Sequence, residues 1–439
     1  MTRMWQVVAD WETLDEGSAE ERSCFAALGI EARGVWLTEG RDALANRLRR
    51  APLLSAYHLA EWFAWNWWRL RWEPRAANED WAFAHKITNI GGGYIWPNIT
   101  IFSDGERTAL VTRSTRERTD TPFRYITDFA VIVSSVDFEV EVDNFVGQVL
   151  ERLGASGVNG SNLSRLWADV SAERGNVELA RIRKLEALMG KQPDELSDEA
   201  VTALVNDSNR FGESAIDELA ADLGQGQVSS GIDASKLLTI ALSHGFSSRP
   251  ADGVRLAGHP GGDAHRSQMA AWRLGARVAK TLRDQERLGD ARITNDQLTG
   301  LIAVDKRAVD AKETTGLGIS FLVNGENGEG RIGLRSRWES GRRFELARLL
   351  GDELMYASGE LFPATRAYTY RQKAQRSFAA ELLSPFAAVL NMLQGDFSQE
   401  KQLDVADYFG VSEITIRTQL MNHKILDRED LEIDVTAAA

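Results

Sequence analysis

The sequence predicts a multidomain α+β protein, and three observations carry that reading. At 439 residues the chain is longer than one ordinary domain. Ten of its 13 tryptophans fall within the first 100 residues, a compositional shift that marks an N-terminal unit with its own core. Strand-like runs and helical periodicities occur both in that unit and again in the C-terminal third. The expected organisation is a Trp-rich α+β domain over 1–153, a helical middle region over 154–248, and a C-terminal domain over 249–439.

In the first domain, residues 57–73 read YHLAEWFAWNWWRLRWE, a helix ended by Pro74, which disfavours helix at the residue before it. Leu59, Trp62, Phe63, Asn66 and Leu70 share one face, and Trp65, Trp68 and Trp72 fall on another. A helix apolar on two faces is expected inside its domain; the alternative is an aromatic platform for bases or sugars. Gly91-Gly92-Gly93 lacks the surroundings of a phosphate loop and reads as a turn. Two β-rich runs around Asp104-Gly105 read as a hairpin. One or two more strands follow from Phe123, then a helix to about Leu153.

The middle region carries helices in NVELARIRKLEALMG, stopping at Gly190, in ESAIDELAADLG, ending at Gly224, and in DASKLLTIALSHG. GQGQVSSG between the last two reads as a linker. His259, Asp263 and His265 lie in a loop of Gly, Pro and Asp. Three such residues in one loop arise readily by chance, and no metal site is expected there.

Composition narrows the function. The net charge of -13 argues against broad non-specific binding to nucleic acid, leaving room for a local basic patch. One cysteine, Cys24, excludes an intramolecular disulfide framework. Six histidines, none in H-x-x-x-H spacing, argue against histidine-based metal chemistry. No apolar run reaches the ~20 residues of a membrane span, and the N-terminus lacks a basic-then-apolar signal. A cytoplasmic protein with no cofactor and no membrane contact is expected.

The C-terminal third is the most informative. Two helices (SQMAAWRLGARVAKTLRDQERLG, then ITNDQLTGLIAV) precede a hairpin of GLGISFLVN and EGRIGLRS. RRFELARLLGDELM and YRQKAQRSFAAELLSP are helices, and a small helix-turn-helix-like element closes the pattern. Over residues 268–426 this order resembles the ImmA/IrrE family of zinc metallopeptidase-like proteins of bacterial stress responses and phage-related loci. Arg343, Phe344 and Ala347 match the approach to that family's H-E-x-x-H helix. Ala374, Phe378, Ala379, Leu382, Leu383 and Pro385 match a later helix, and 406–426 match its helix-turn-helix-like end.

The resemblance implies a zincin-like fold without its chemistry. Two histidines one turn apart and an adjacent glutamate would form the zinc site. Here the histidine positions are Arg348 and Asp352, the glutamate position is Leu349, and the third-ligand position is Arg371. Arginine does not give up its proton to bind zinc, and leucine moves no proton. A degenerate, pseudo-peptidase domain is therefore expected.

Arg348 and Asp352 stand at i and i+4, a spacing that permits an ion pair, and the resemblance brings Arg371 to them from a facing helix. Arg331, Arg335, Arg337, Arg342, Arg343, Arg366, Lys373 and Arg376 surround them in sequence. Either an Arg–Asp–Arg strut fills the former metal position, or the site now takes an anion such as phosphate or a nucleotide. From Ser398 onward nine acids face four bases, and the candidate reading helix over 412–421 offers only Arg417 as a cation. That element reads as a packing module rather than a DNA reader. The functional expectation is a non-catalytic regulatory or interaction protein of stress response or phage defence, working with a protein partner. The alternative is a DNA-binding transcriptional regulator that uses Arg417 and the arginine cluster.

Overall fold

A computed structural model of the chain describes residues 4–77, 79–115, 121–225, 234–258, 269–325, 328–356 and 359–426. The protein is α+β and divides into two units, Met1–Leu196 and Ser197–Ala439. The boundary departs from the expected three regions, because the helical middle splits between the two units. Asn162–Gly175 and Val177–Leu188 send Leu163, Val170 and Ala187 into the N-terminal core. Glu213–Leu223 instead places Glu218 and Asp222 against the C-terminal helices and strands. Helical periodicity marks an apolar face without naming the core that receives it.

In the first unit, Ala56–Trp72 is the central helix, capped by Ser55, which accepts from the His58 amide. Trp62, Phe63, Leu59 and Leu70 are buried as the periodicity requires. Trp68 is buried too, its indole donating to Glu173 at 2.7 Å, and Trp72 lies beneath the cations of Arg71 and Lys184. Only Trp65, 59% exposed, points outward, so the core reading of this helix holds and a continuous aromatic platform is not formed.

Around the helix lie three antiparallel sheets. Trp5–Trp11 pairs with Phe25–Ala32, which also pairs with Val35–Trp36 and Leu53–Ser55. Asn98–Ser103 and Arg107–Arg113 form the expected hairpin, joined on its far side by Phe129–Ser134. Its turn is made locally: Asp104 Oδ1 accepts from the Arg107 amide at 2.9 Å, and Gly105 takes φ +99°, which favours glycine. Gly40–Asp42 pairs with Arg47–Arg49 and Phe123–Tyr125 in the third sheet.

The second unit is built on a four-stranded antiparallel sheet in the order Phe246–Ser248, Gly330–Gly333, Ser320–Asn324, Leu361–Ala364. The central hairpin was expected; the two outer strands, three and four residues long, are too short to show a period. Against the sheet packs the Glu339–Met355 helix, and against that the Tyr370–Leu383 helix. The Ala271–Gln285 helix closes on Tyr370–Leu383 at Gly275, where a Cβ would lie 2.1 Å from the Ala374 carbonyl oxygen.

Helices Gln399–Phe409 and Glu413–Asn422 complete the unit, with Val405, Phe409, Ile416 and Leu420 buried in the same core. Arg343 ties this terminal element down. Its guanidinium donates to the carbonyls of Gly410 and Ile293 at 3.2 and 2.7 Å and to the Asn295 side chain. Residues 226–231 of the expected linker, the residues His259, Asp263 and His265, and the acidic end from Asp427 lie outside the described residues.

Candidate functional site

The Glu339–Met355 and Tyr370–Leu383 helices bring the four singled-out residues together, but not as one cluster. Asp352 is fully buried. Its Oδ1 accepts from Arg371 Nε and its Oδ2 from Arg371 Nη2, each at 2.7 Å, the bidentate geometry a guanidinium favours. Arg371 Nη1 donates to Ser214 Oγ at 2.9 Å, and the Arg371 guanidinium lies 4.7 Å from the Tyr356 ring centroid. Leu349, at the position of the catalytic glutamate in the resemblance, is wholly inside the apolar core.

Glu218 stands beside this pair and accepts from Thr369 Oγ1 at 2.6 Å. Burial pushes its carboxyl up to about 7, even though Arg371 attracts its charge, and Asp352 adds to the rise. Asp222 on the same helix accepts from the Arg366 amide at 2.7 Å, and burial raises its carboxyl as well. Both acids escaped sequence analysis. They lie more than 100 positions from the partners they meet, and nothing in ESAIDELAADLG distinguishes them from surface acids.

Arg348 is not part of the strut. The expected ion pair with Asp352 does not form: both Asp352 oxygens accept from Arg371, and the Arg348 fork is held elsewhere. Arg348 Nη2 donates instead to the Thr365 carbonyl at 2.7 Å, to Gln375 Oε1 at 3.2 Å, and to Gln372 Oε1. The two glutamines are themselves anchored, each donating Nε2 to the Pro363 carbonyl, at 3.0 and 3.1 Å. Arg348 is 4% exposed, and its Nε has no hydrogen-bond partner. Burial, with the positive fields of Arg376 and Arg335, pushes this guanidinium down to about 9.

Arg348 is among the residues lining a cavity of about 1050 Å³, which neither Asp352 nor Arg371 lines. Six cationic residues line it: Arg335, Arg337, Arg348, Arg366, Lys373 and Arg376. Among the described residues the lining acids are Glu345 and Glu381. Glu345 is already engaged, pairing with Arg335 at 3.2 Å and accepting from Ser320 Oγ at 2.6 Å. Within a protein of net charge -13 this is a concentrated positive surface.

The remaining members of the expected arginine cluster lie elsewhere. Arg342 donates to the carbonyls of Ala308, Glu313 and Ser336 with its Nη2 left without a partner, Arg343 makes the clip described above, and Arg331 donates to Ser247 Oγ at 2.9 Å. The Glu413–Asn422 helix also lines the cavity, with Thr415, Gln419 and Asn422 among its contributions; Arg417 is not among the lining residues.

Among the described residues, no three His, Cys, Asp or Glu side chains come together to hold a metal ion. No helix there is long and apolar enough to cross a membrane. Comparison with protein-family models, curated proteins and solved structures returns no match.

Proposed function

We propose that the chain is a non-catalytic regulatory or interaction protein whose C-terminal unit is built on an ImmA/IrrE-like scaffold with its peptidase chemistry replaced. The observation that carries this reading is the buried Arg371–Asp352 pair. A buried carboxylate held through both oxygens by a guanidinium has its charge already paired, and neither Arg348 nor Leu349 supplies a zinc ligand or a base. A setting in bacterial stress response or phage defence, in the cytoplasm and with a protein partner, rests on the resemblance alone.

Elemental analysis of the purified chain, together with a proteolysis assay, tests the reading. No stoichiometric zinc and no cleavage are expected. One tightly held zinc per chain, lost on Asp352→Ala, would overturn it.

A second reading, a DNA-binding transcriptional regulator, draws support from the cationic cavity beside the Glu413–Asn422 helix. Filter binding of duplex DNA at two salt concentrations separates the two. Salt-sensitive binding that weakens on Arg417→Ala would favour the regulator.

A further inference from the structure

We propose that the cavity floored by Arg348 is a binding site for a nucleoside phosphate, free or at the end of a single strand, with the phosphate on Arg348 and the base against the aromatic rim. The inference rests on the reading of this unit as a binding rather than a hydrolytic module, and it adds the chemistry of the ligand. Three independent observations meet in this one place.

The first is an unmet demand. Arg348 is almost completely buried, its Nε has no partner, and every group that Nη2 touches is a neutral oxygen. A buried polar atom left unsatisfied calls for an explanation, and a guanidinium held by carbonyls and amides keeps its full charge. The two glutamines fixed on Pro363 hold the fork in place before any ligand arrives. An acceptor with several oxygens satisfies such a donor best, and phosphate matches the guanidinium fork with parallel hydrogen bonds.

The second is the field. Among the described residues six cations and two acids line the cavity, and Asp222 behind Arg366 adds a third acid, so the balance stays positive and favours a ligand of more than one negative charge over a lone carboxylate. The third is the shape and lining. A volume of about 1050 Å³ lies at the upper end for small-molecule sites, ~300–1,000 Å³, so a nucleotide fits with room for a neighbour. Flat apolar surface is present at the walls: Trp338 is 67% exposed, and Trp272 and Tyr368 stand half-buried. Aromatic faces of this kind take bases without regard to sequence. A phosphorylated or acidic peptide would use the cations and leave the tryptophans idle.

Fluorescence anisotropy with the full chain tests the proposal, using a methylanthraniloyl-labelled adenosine monophosphate and a fluorescein-labelled oligothymidylate. Inorganic phosphate and a polyglutamate peptide serve as competitors. The expected result is salt-sensitive binding of the mononucleotide, weakened about tenfold by Arg348→Gln and by Trp338→Ala. Equal affinity for the strand identifies a free nucleotide as the ligand class, and tighter binding of the strand identifies a nucleic-acid end.

The proposal is overturned if neither probe binds, if Trp338→Ala binds as the parent does, or if polyglutamate or inorganic phosphate displaces the nucleotide at equal concentration. Should Arg348→Gln fail to fold, Trp338→Ala and Arg337→Gln, both at exposed positions, carry the test. A zinc-bearing chain that still binds nucleotide would sink the non-catalytic reading and leave this site standing. A zinc-free chain that binds neither probe does the reverse.

Discussion

Replacing Arg371 with alanine is the most direct probe of how the C-terminal unit is held together. Asp352 is fully buried and relies on Arg371 for both of its charge-assisted hydrogen bonds, at 2.7 Å each. Removing one member of a buried pair leaves the other charge stranded, which costs about 3–5 kcal/mol. Glu218 sharpens the effect, since Arg371 is the charge that attracts its carboxylate. The loss is therefore larger at alkaline than at mildly acidic pH, where a protonated carboxyl relieves the repulsion. Replacing both partners, Arg371→Met with Asp352→Leu, recovers most of the loss, because no charge is then left unpaired.

Native-state hydrogen exchange of the Glu339–Met355 amides in increasing urea reads this unit separately from the other. An Arg371→Ala protein within about 0.5 kcal/mol of the parent at alkaline pH would refute the strut, since that is the scatter of an ordinary surface change.

Three further outcomes follow from the packing. The Glu218 carboxyl sits at about 7 in the folded chain against 4.5 as its ordinary value. The folded state thus holds a proton that the unfolded state releases, and stability falls as pH rises from about 4.5 through 7. Glu218→Gln keeps an acceptor for Thr369 and flattens that slope, gaining up to about 3 kcal/mol at pH 8 in urea melts; parallel curves for the two proteins would contradict it. In the first unit, Phe63→Ala costs ~3–5 kcal/mol while Trp65→Ala stays near neutral, as measured by thermal melts of each variant; equal effects would deny the burial of one face. Gly275→Ala forces the Ala271–Gln285 helix off Tyr370–Leu383 and destabilises by about 1–3 kcal/mol, and an unchanged melt would show that the helices give way freely.

Much of this protein was legible in its residues alone. The helix that ends before Pro74, the hairpin at Asp104-Gly105 and the helices ending near Gly190 and Gly224 depend on signals within a few positions of one another. So does the absence of zinc-ligating side chains at Arg348, Leu349 and Arg371, because ligand chemistry is a property of residue type. What the tertiary structure alone decided is which groups meet. Leu163 and Leu219 occupy similar amphipathic helices, yet one joins the tryptophan core and the other belongs to the C-terminal unit. Arg348 and Arg371 looked equivalent in sequence; one pairs with Asp352 while the other floors a cationic cavity. Glu218 and Trp338 gained their places from elements far away along the chain. Local pattern states how much apolar surface or charge an element presents, whereas its partner is chosen by the packing of distant segments and by the need to satisfy every buried polar group.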